Sequence, residues 1–332
     1  MVNNLELEYV HPSDSFPPEW VNMVSTGETT MMEQTLQWLA DQSFGALSFP
    51  FKPKKESIDE WMASRKKQKR HYIIASIRNG KALTPVGFVD IEFRLTRLHS
   101  YTTEVIPDGF PAVAYINALY TDPQYRNLGI GTSLLVEAET VARKAKCKIL
   151  TLTFNTRNTA ASKFFYRRKF THLETQFYGI IHKPRNAADT FVQPIPFSDL
   201  KKNKSVFVEL KGHVAKDSKG FYPLFGEVEA AAKALQNNTT VVGLQFNGGR
   251  DGYALTKPIL RDAITSVYPL MLAPQIWTDS TKLKRYMYAV GQFSKTTHGT
   301  EVLHTCSMDL GRVHILESIG FSAISEVLRK QI

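Results

Sequence analysis

The segment from Asp122 to Gly131 is the part of the sequence best suited to bind an anion. It joins a predicted strand that ends at Tyr120 to a predicted amphipathic helix that begins at Gly131. Backbone N–H groups in the first turn of a helix have no partner within it, and the helix dipole adds about half a positive charge there. Gly129 and Gly131 lack a Cβ, so the backbone can approach a phosphate closely, and Arg126 adds a positive charge.

This segment is neither of the two common nucleotide-binding loops. A P-loop requires Gly-Lys followed by Ser or Thr, which is absent. A dinucleotide-binding loop requires a third glycine at a position that Leu134 occupies here. The sequence therefore predicts a phosphate site of another kind.

Alternating strands and helices must position this loop. Period-two alternation predicts a strand over 5–10, and two more strands follow over 71–77 and 85–95, with Asn79-Gly80 as the turn between them. A strand over 112–120 precedes the loop. A helix over 131–146, a strand over 148–154, a helix over 159–168 and a strand over 174–182 follow it.

The pattern Arg126-x-x-Gly129-x-Gly131, between a strand and a helix, resembles the acetyl-CoA signature of the GNAT superfamily of N-acyltransferases. The downstream run from Ala160 to Phe170 resembles the last helix of that family and its closing Gly-Phe, with Lys169 in place of the glycine. The resemblance covers residues 5–183. It implies an α/β (α+β) GNAT fold, in which helices flank a mixed, mostly antiparallel sheet.

The resemblance also implies that the cofactor is acetyl-CoA. Its pyrophosphate would lie on the backbone amides of the loop, and its pantetheine arm would run along the strand before the loop. Asn158 matches a family position that commonly hydrogen-bonds the arm. The cofactor-binding residues expected on this basis are Leu119, Tyr120, Thr121, Arg126, Asn127, Leu128, Gly129, Ile130, Gly131, Thr132, Asn155, Asn158 and Phe165.

The reaction implied is direct attack of an amine on the thioester, and the leaving thiolate is then helped by a proton donor. Family members often use a tyrosine of the last helix as that donor. Counting back from Phe170 places Phe165 at the tyrosine position, whereas direct alignment of the helix places Tyr166 there with one residue fewer before Phe170. We take Tyr166 as the candidate acid and leave both registers open.

No carboxylate base is evident on the strand before the loop. An alkyl ammonium has a pKa of about 10, so a base or a water chain must first remove its proton. Family bases often lie on this strand, where the chain has Asn117. We expect Asp90 and Glu92 of the adjacent strand to be solvated, and take Asn117 and Glu92 as catalytic candidates beside a water relay through main-chain carbonyls.

The second half resembles a degenerate copy of the first. Trp277-Thr278-Asp279 matches Tyr120-Thr121-Asp122, and the run ending in Gly320-Phe321 matches the closing Gly-Phe of the family. No glycine occurs over 282–287, so Cβ atoms would crowd a pyrophosphate. We therefore predict a GNAT domain over 1–185, a linker over 186–200 and a GNAT-like domain without CoA binding over 201–332.

Composition limits the partners and the compartment. The 332 residues carry a net charge of +10, which suits a nucleic acid, an anionic membrane surface or a phosphorylated cofactor. No apolar run is long enough to cross a membrane, and no signal segment opens the chain. Two cysteines favour a cytoplasmic protein without a disulfide framework or metal site.

Three functions remain in competition. The leading prediction is an acetyl-CoA-dependent N-acetyltransferase, acting as a monomer or a dimer on a small-molecule or peptide amine, or on a nucleotide. A second is an acyltransferase that uses another acyl donor or a hydroxyl acceptor. The third is a non-catalytic GNAT-fold module that binds an acidic partner or a nucleic acid.

Overall fold

A computed structural model describes residues 4–41, 63, 69–94, 113–184, 192–195, 242–259, 264–299, 302–307 and 310–332. The elements of the first half are β1 (Leu5–Val10), α1 (Pro18–Asp41), β2 (His71–Asn79), β3 (Ala82–Arg94), β4 (Val113–Thr121), α2 (Ile130–Lys144), β5 (Ile149–Asn155), α3 (Thr159–Tyr166) and β6 (Thr171–Gly179). Those of the second half are β7 (Val192–Ile195), β8 (Val242–Phe246), β9 (Gly252–Ile259), β10 (Ile264–Leu272), α4 (Pro274–Trp277), α5 (Ser280–His298), β11 (Leu303–Ser307), α6 (Leu310–Ser318) and β12 (Phe321–Gln331).

The strands form one 12-stranded sheet in the order β1-β2-β3-β4-β5-β12-β6-β11-β10-β9-β8-β7. Strands β1 to β4 are antiparallel neighbours, and β4 and β5 are parallel. The same pattern recurs in β7 to β10 and in the parallel pair β10 and β11. The predicted mixed, mostly antiparallel sheet is confirmed, and the two halves share one topology.

The halves exchange their last strands. Strand β12 of the second half lies between β5 and β6 of the first, antiparallel to both. Conversely, β6 of the first half lies between β11 and β12 of the second. Neither half therefore closes its part of the sheet with its own residues alone.

Two side-chain contacts tie β12 to the helices of the first half. Lys330 forms an ion pair with Glu139 of α2, and both side chains are largely buried. The hydroxyl of Tyr166, at the end of α3, donates a hydrogen bond to Glu326 at 2.8 Å. The final strand is thus connected to both helices that flank the predicted cofactor loop.

Helices α1 and α2 cover opposite faces of the first-half sheet. Val24 of α1 packs with Tyr72 and Phe88 on one face of the sheet. Leu134 of α2 packs with Ile73 and with other strand residues whose side chains point to the opposite face. This follows from the period of two in a strand, which sends neighbouring side chains to opposite faces. Both faces of β2 and β3 are therefore buried.

The second half has its own core beneath α5. Leu283, Met287 and Val290 of α5 pack with strand residues of the second half and with Phe177 of β6. Because Phe177 belongs to the first half, this core also depends on the strand exchange.

Part of the predicted linker forms a strand. Strand β7 lies within 186–200 and pairs with β8, so these residues form the edge of the second-half sheet. Of that segment, residues 186–191 and 196–200 lie outside the described residues, as does 201–241 of the predicted second domain.

Candidate functional site

The loop after β4 is held by its own short hydrogen bonds. Asp122 Oδ1 accepts from the backbone N–H of Gln124 at 2.9 Å and caps a single 3-10 turn over Pro123–Tyr125. The Arg126 Nε–H donates to the carbonyl of Thr121 at 3.3 Å. These contacts fix the loop against the end of β4 while Arg126 remains exposed.

The N-terminus of α2 lacks a side-chain cap. Gly129 is its N-cap with φ of 90°, and the amides of Thr132 and Ser133 both donate to the Gly129 carbonyl. Within the described part of the chain, the N–H groups of Leu128 through Gly131 donate to no backbone carbonyl. Unpartnered amides at a helix N-terminus are a suitable environment for a phosphate.

The two glycines serve the loop for different reasons. Gly129 needs its freedom because a positive φ is strained for other residues, although a Cβ there would meet no atom within 4 Å. At Gly131 a Cβ would touch Leu119 and Phe164 at 3.6 Å, so a larger side chain would have only the cavity to enter.

Strands β4 and β5 diverge beside this loop. They pair only from Val113 opposite Ile149 to Ile116 opposite Leu152, while β4 continues to Thr121 and β5 to Asn155. The β3–β4 register also shifts at Asn117, which is the extra residue of a bulge. Past Ile116, the edge of β4 that faces β5 is free of strand pairing and can accept an extended ligand.

A cavity of about 740 Å³ opens between α1, the end of β4, the loop and α3. Most of the predicted cofactor residues line it: Leu119, Tyr120, Thr121, Arg126, Asn127, Gly129, Ile130, Gly131, Asn158 and Phe165. Asn158 also caps α3, since its Oδ1 accepts from the amide of Ala161 at 3.0 Å. Burial and the neighbouring Asp122 raise the pKa of Tyr120.

Three predicted cofactor residues are not in the cavity wall. The exposed side chain of Leu128 points away from the core, and Thr132 accepts a hydrogen bond from Arg168 through its hydroxyl. Asn155 is buried, and its Oδ1 accepts from the amide of Arg157 at 2.9 Å. The backbone N–H of Leu128 donates to no backbone carbonyl, so its predicted role as a hydrogen-bond donor to the ligand does not depend on the side chain.

Sequence reasoning missed other parts of the wall. Thr30, Met31 and Gln34 of α1 line the cavity on one side, and Phe164 lines it on the other. Helix α1 approaches this region closely because Gly27 permits it: a Cβ there would lie 2.7 Å from a ring atom of Phe88. In the sequence, a glycine inside this helix is a feature that could have indicated the close approach.

The cavity wall is strongly positive. Five cationic side chains line it, and none of the lining residues is Asp or Glu: Arg126, Arg157, Lys163, Arg167 and Arg168. Only Arg126 was predicted to have a role. For Lys163, Arg167 and Arg168 the signal in the sequence is the density of basic residues from 163 to 169, and Arg157 lies outside that run.

Arg168 connects α3 to the first turn of α2. Its guanidinium donates to the Thr132 hydroxyl and to the Phe164 carbonyl, and it stacks over the Phe164 ring at 4.0 Å. No described carboxylate forms an ion pair with it. Arg168 therefore places a fixed, uncompensated charge beside the unpartnered amides.

Of the two residues considered for the proton donor, the structure brings Phe165 to the cavity. Phe165 is buried and lines the wall, whereas Tyr166 is not among the lining residues and binds Glu326 of β12. Burial and that carboxylate raise the pKa of Tyr166 well above its usual range. The residue at the cavity is thus the one that counting back from Phe170 places at the tyrosine position.

The expected solvation of Asp90 is wrong. Asp90 is buried, with Oδ2 at 3.1 Å from an Arg70 nitrogen and Oδ1 at 3.4 Å from the Asn117 amide nitrogen. Glu92, only slightly exposed, lies 3.6 Å from the same Arg70 nitrogen. The candidates Asn117 and Glu92 therefore share a cluster with Asp90 and Arg70, and none of them lines the cavity.

The corresponding helix of the second half is already capped. Asp279 is the N-cap of α5, and its Oδ1 accepts from the amide of Lys282 at 2.9 Å. The ammonium of Lys282 in turn pairs with the buried Asp251 at 2.8 Å. The chain's own carboxylate thus occupies the place where an anion would bind at α5.

The described residues include no cluster of His, Cys, Asp or Glu that could hold a metal ion. Within the same part of the chain, each helix is too short or too polar to span a bilayer. Burial raises the pKa of the Cys147 thiol to about 12.

The chain resembles known proteins in the sequence of its first half and in its overall fold. A family model described as the acetyltransferase (GNAT) family matches residues 32–170. A search of curated proteins finds no match to the sequence. Among solved structures, a GCN5-related N-acetyltransferase from Sphaerobacter thermophilus is 10% identical and covers 99% of this chain and 96% of its own, with a TM-score of 0.52.

Two further structures are more distant in shape. A tandem GNAT protein from the clavulanic acid biosynthesis pathway is 14% identical and covers 98% of both chains, with a TM-score of 0.45. The PaiA N-acetyltransferase from Thermoplasma acidophilum, solved with coenzyme A, is 16% identical and covers 51% of this chain and 90% of its own, with a TM-score of 0.32. At these identities the likeness concerns the fold alone.

Proposed function

Residues 32–170 match the acetyltransferase (GNAT) family, and on this premise we propose that the chain is an acetyl-CoA-dependent N-acetyltransferase. The observation that carries the proposal is the uncapped, glycine-initiated N-terminus of α2, which opens into a positive cavity beside two diverging strands. Unpartnered amides, uncompensated cations and a free strand edge are what a diphosphate with an extended amide-bearing arm requires.

The residues present fit coenzyme A. The amides of Leu128 through Gly131, together with Arg126 and Arg168, would hold the pyrophosphate. The free edge of β4 from Leu119 to Thr121 would hold the pantetheine arm, with Asn158 opposite. When bound, acetyl-CoA supplies a thioester carbonyl that an acceptor amine can attack.

The chain's own groups must then handle two protons. Asn117 and Glu92 stay candidates for orienting the acceptor, but Arg70 holds both Asp90 and Glu92 in ion pairs. We therefore favour a water relay as the base. On the acid side, Phe165 occupies the wall and cannot donate a proton, and the Tyr166 hydroxyl is engaged with Glu326. Transfer in this chain therefore proceeds without a proton from Tyr166.

Calorimetry with acetyl-CoA tests the proposal. Wild type is expected to bind, and Gly131→Trp to lose at least 100-fold in affinity, since the indole would have to enter the cavity. The matched control is Val136→Trp on the same helix, where the native side chain is 57% exposed and does not line this cavity. Absence of acetyl-CoA binding by the wild type would overturn the proposal.

The acceptor and the acyl chain require a second assay. Mass spectrometry of amine, peptide and nucleotide panels incubated with protein and acetyl-CoA should show a single acetyl mass increase. Transfer only to hydroxyl compounds, or only from longer acyl donors, would instead favour an acyltransferase that uses a hydroxyl acceptor or another acyl donor.

The non-catalytic alternative also has an observation in its favour, namely the net charge of +10 and the positive cavity. Nucleic-acid binding that weakens steeply with salt, in the absence of acetyl-CoA binding, would support it. We retain a cytoplasmic location and a monomeric or dimeric state as parts of the proposal.

A further inference from the structure

Helix α3 and its C-cap residue present two cations to the cavity from one face. Lys163 and Arg167 are one turn apart, both side chains are exposed, and both line the cavity. Like charges at this spacing repel each other and weaken a helix slightly. A cation near the C-terminal end of a helix interacts favourably with the helix dipole. One cation is enough for that effect, and it does not explain why both cations line a cavity.

No acidic side chain neutralises this pair. In the described part of the chain, neither Lys163 nor Arg167 forms an ion pair. The other cations differ in this respect, because Arg126 and Arg168 are tied by hydrogen bonds to the loop and to the first turn of α2. Lys163 and Arg167 are therefore exposed cavity cations that lie one turn apart and are not tied to the loop, whereas the exposed Arg157 lies beyond β5 and has an interaction of its own.

The charges of the proposed cofactor show what the pair could bind. A diphosphate carries about two negative charges, which the α2 amides, Arg126 and Arg168 already match. Coenzyme A carries in addition a ribose 3′-phosphate, a monoester with a charge between −1.5 and −2 at pH 7. An arginine fork and a lysine ammonium are both suited to such a group.

Building on the proposed function, we infer that Lys163 and Arg167 bind the 3′-phosphate and make the chain select CoA esters over their dephospho forms. The pair then acts on specificity, not on the transfer itself. An acidic acceptor bound by the same two residues is the competing explanation, and it predicts no discrimination between the two forms of the cofactor.

The test is calorimetry with CoA and with dephospho-CoA, which differ only in the 3′-phosphate. Wild type is expected to bind CoA roughly tenfold more tightly than dephospho-CoA, because two exposed ion pairs to a multiply charged phosphate contribute about this much. The double variant Lys163→Met/Arg167→Met is expected to reduce this ratio to about twofold or less, and to lower the affinity for dephospho-CoA by a smaller factor than the affinity for CoA. The wild-type ratio should also fall between low and high salt.

Two controls separate the outcomes. Lys144→Met removes an exposed cation outside the cavity and should keep the wild-type ratio. Thermal unfolding without ligand should show the double variant as stable as wild type, since it loses only a repulsive pair. Equal affinities for the two cofactors in wild type, or an unchanged ratio in the double variant, would overturn the inference alone. Failure of wild type to bind either cofactor would overturn the proposed function with it.

Discussion

At the scale of single residues, the site depends more on backbone conformation than on side-chain chemistry. Asn127 and Gly129 both adopt positive φ, and the turn they make directs unpartnered amides into the cavity. The effect of a glycine substitution on stability can therefore be separated from its effect on ligand affinity. The same substitution is made at the loop and at a second turn that lies away from the cavity.

Gly129→Ala should lower the affinity for acetyl-CoA about tenfold, because a residue with a Cβ resists the φ of 90° and would shift the neighbouring amides. Gly80→Ala is the matched control. Gly80 also has a positive φ, a Cβ there would meet no atom within 4 Å, and it lies in the β2–β3 turn. Each variant should lose about 1 kcal/mol of unfolding free energy, measured by denaturation, and only Gly129→Ala should lose affinity.

Tyr166→Phe should leave turnover within about twofold of wild type and leave its pH profile unchanged. The hydroxyl contacts Glu326, and its raised pKa keeps it protonated over the working range. Loss of the hydrogen bond should lower the unfolding free energy by about 1 kcal/mol. A fall in turnover of about 100-fold, with cofactor affinity preserved, would instead identify Tyr166 as the acid.

At the scale of elements, the two halves differ at one helix N-terminus. Helix α2 starts at a glycine without a side-chain cap, whereas Asp279 caps α5 and Lys282 is drawn toward Asp251. The same topology is thus open to an anion in one half and closed in the other.

One acetyl-CoA per chain is the expected calorimetric stoichiometry. Asp279→Ala should lower the unfolding free energy by about 1 kcal/mol, the usual effect of losing a cap. It should leave the affinity and the stoichiometry unchanged, because the cavity lies in the first half. Two equivalents in wild type would contradict the assignment of α5 as closed.

The sequence predicted individual helices, strands and loops better than the contacts between segments that are distant in the chain. Strand β1 was expected over 5–10, where it is found, and the loop from Arg126 to Gly131 was recognised because its glycines and charge are contiguous. Asp90 was misjudged because its burial depends on Arg70 and Asn117, which belong to other parts of the chain. Tyr166 could not be placed because its partner, Glu326, lies in a distant strand.

At the scale of the whole molecule, the two halves form one folding unit. Strand β12 pairs with β5 and β6 along most of its length, and Lys330 pairs with Glu139 of α2. No local pattern in the sequence indicated that the last strand belongs to the first half, because pairing between distant segments leaves no periodic signal.

A fragment of residues 1–185 should fail to fold stably or to bind acetyl-CoA, since β5 and β6 would lose their shared neighbour and expose unpaired edges. Coexpression with residues 186–332 should restore a complex that binds. Thermal unfolding and calorimetry measure both properties. A fragment that unfolds cooperatively and binds as tightly as the full chain would show that the exchange is dispensable.

The exchanged strand has a consequence for synthesis on the ribosome. The anion-binding loop and the strands that present it are complete once Asn155 has emerged, yet β12 begins only at Phe321. Throughout the intervening translation, the nascent chain must leave a gap between β5 and β6 open and keep other strands out of it. We therefore expect the loop to become competent to bind an anion only after the final strand has been synthesised and inserted.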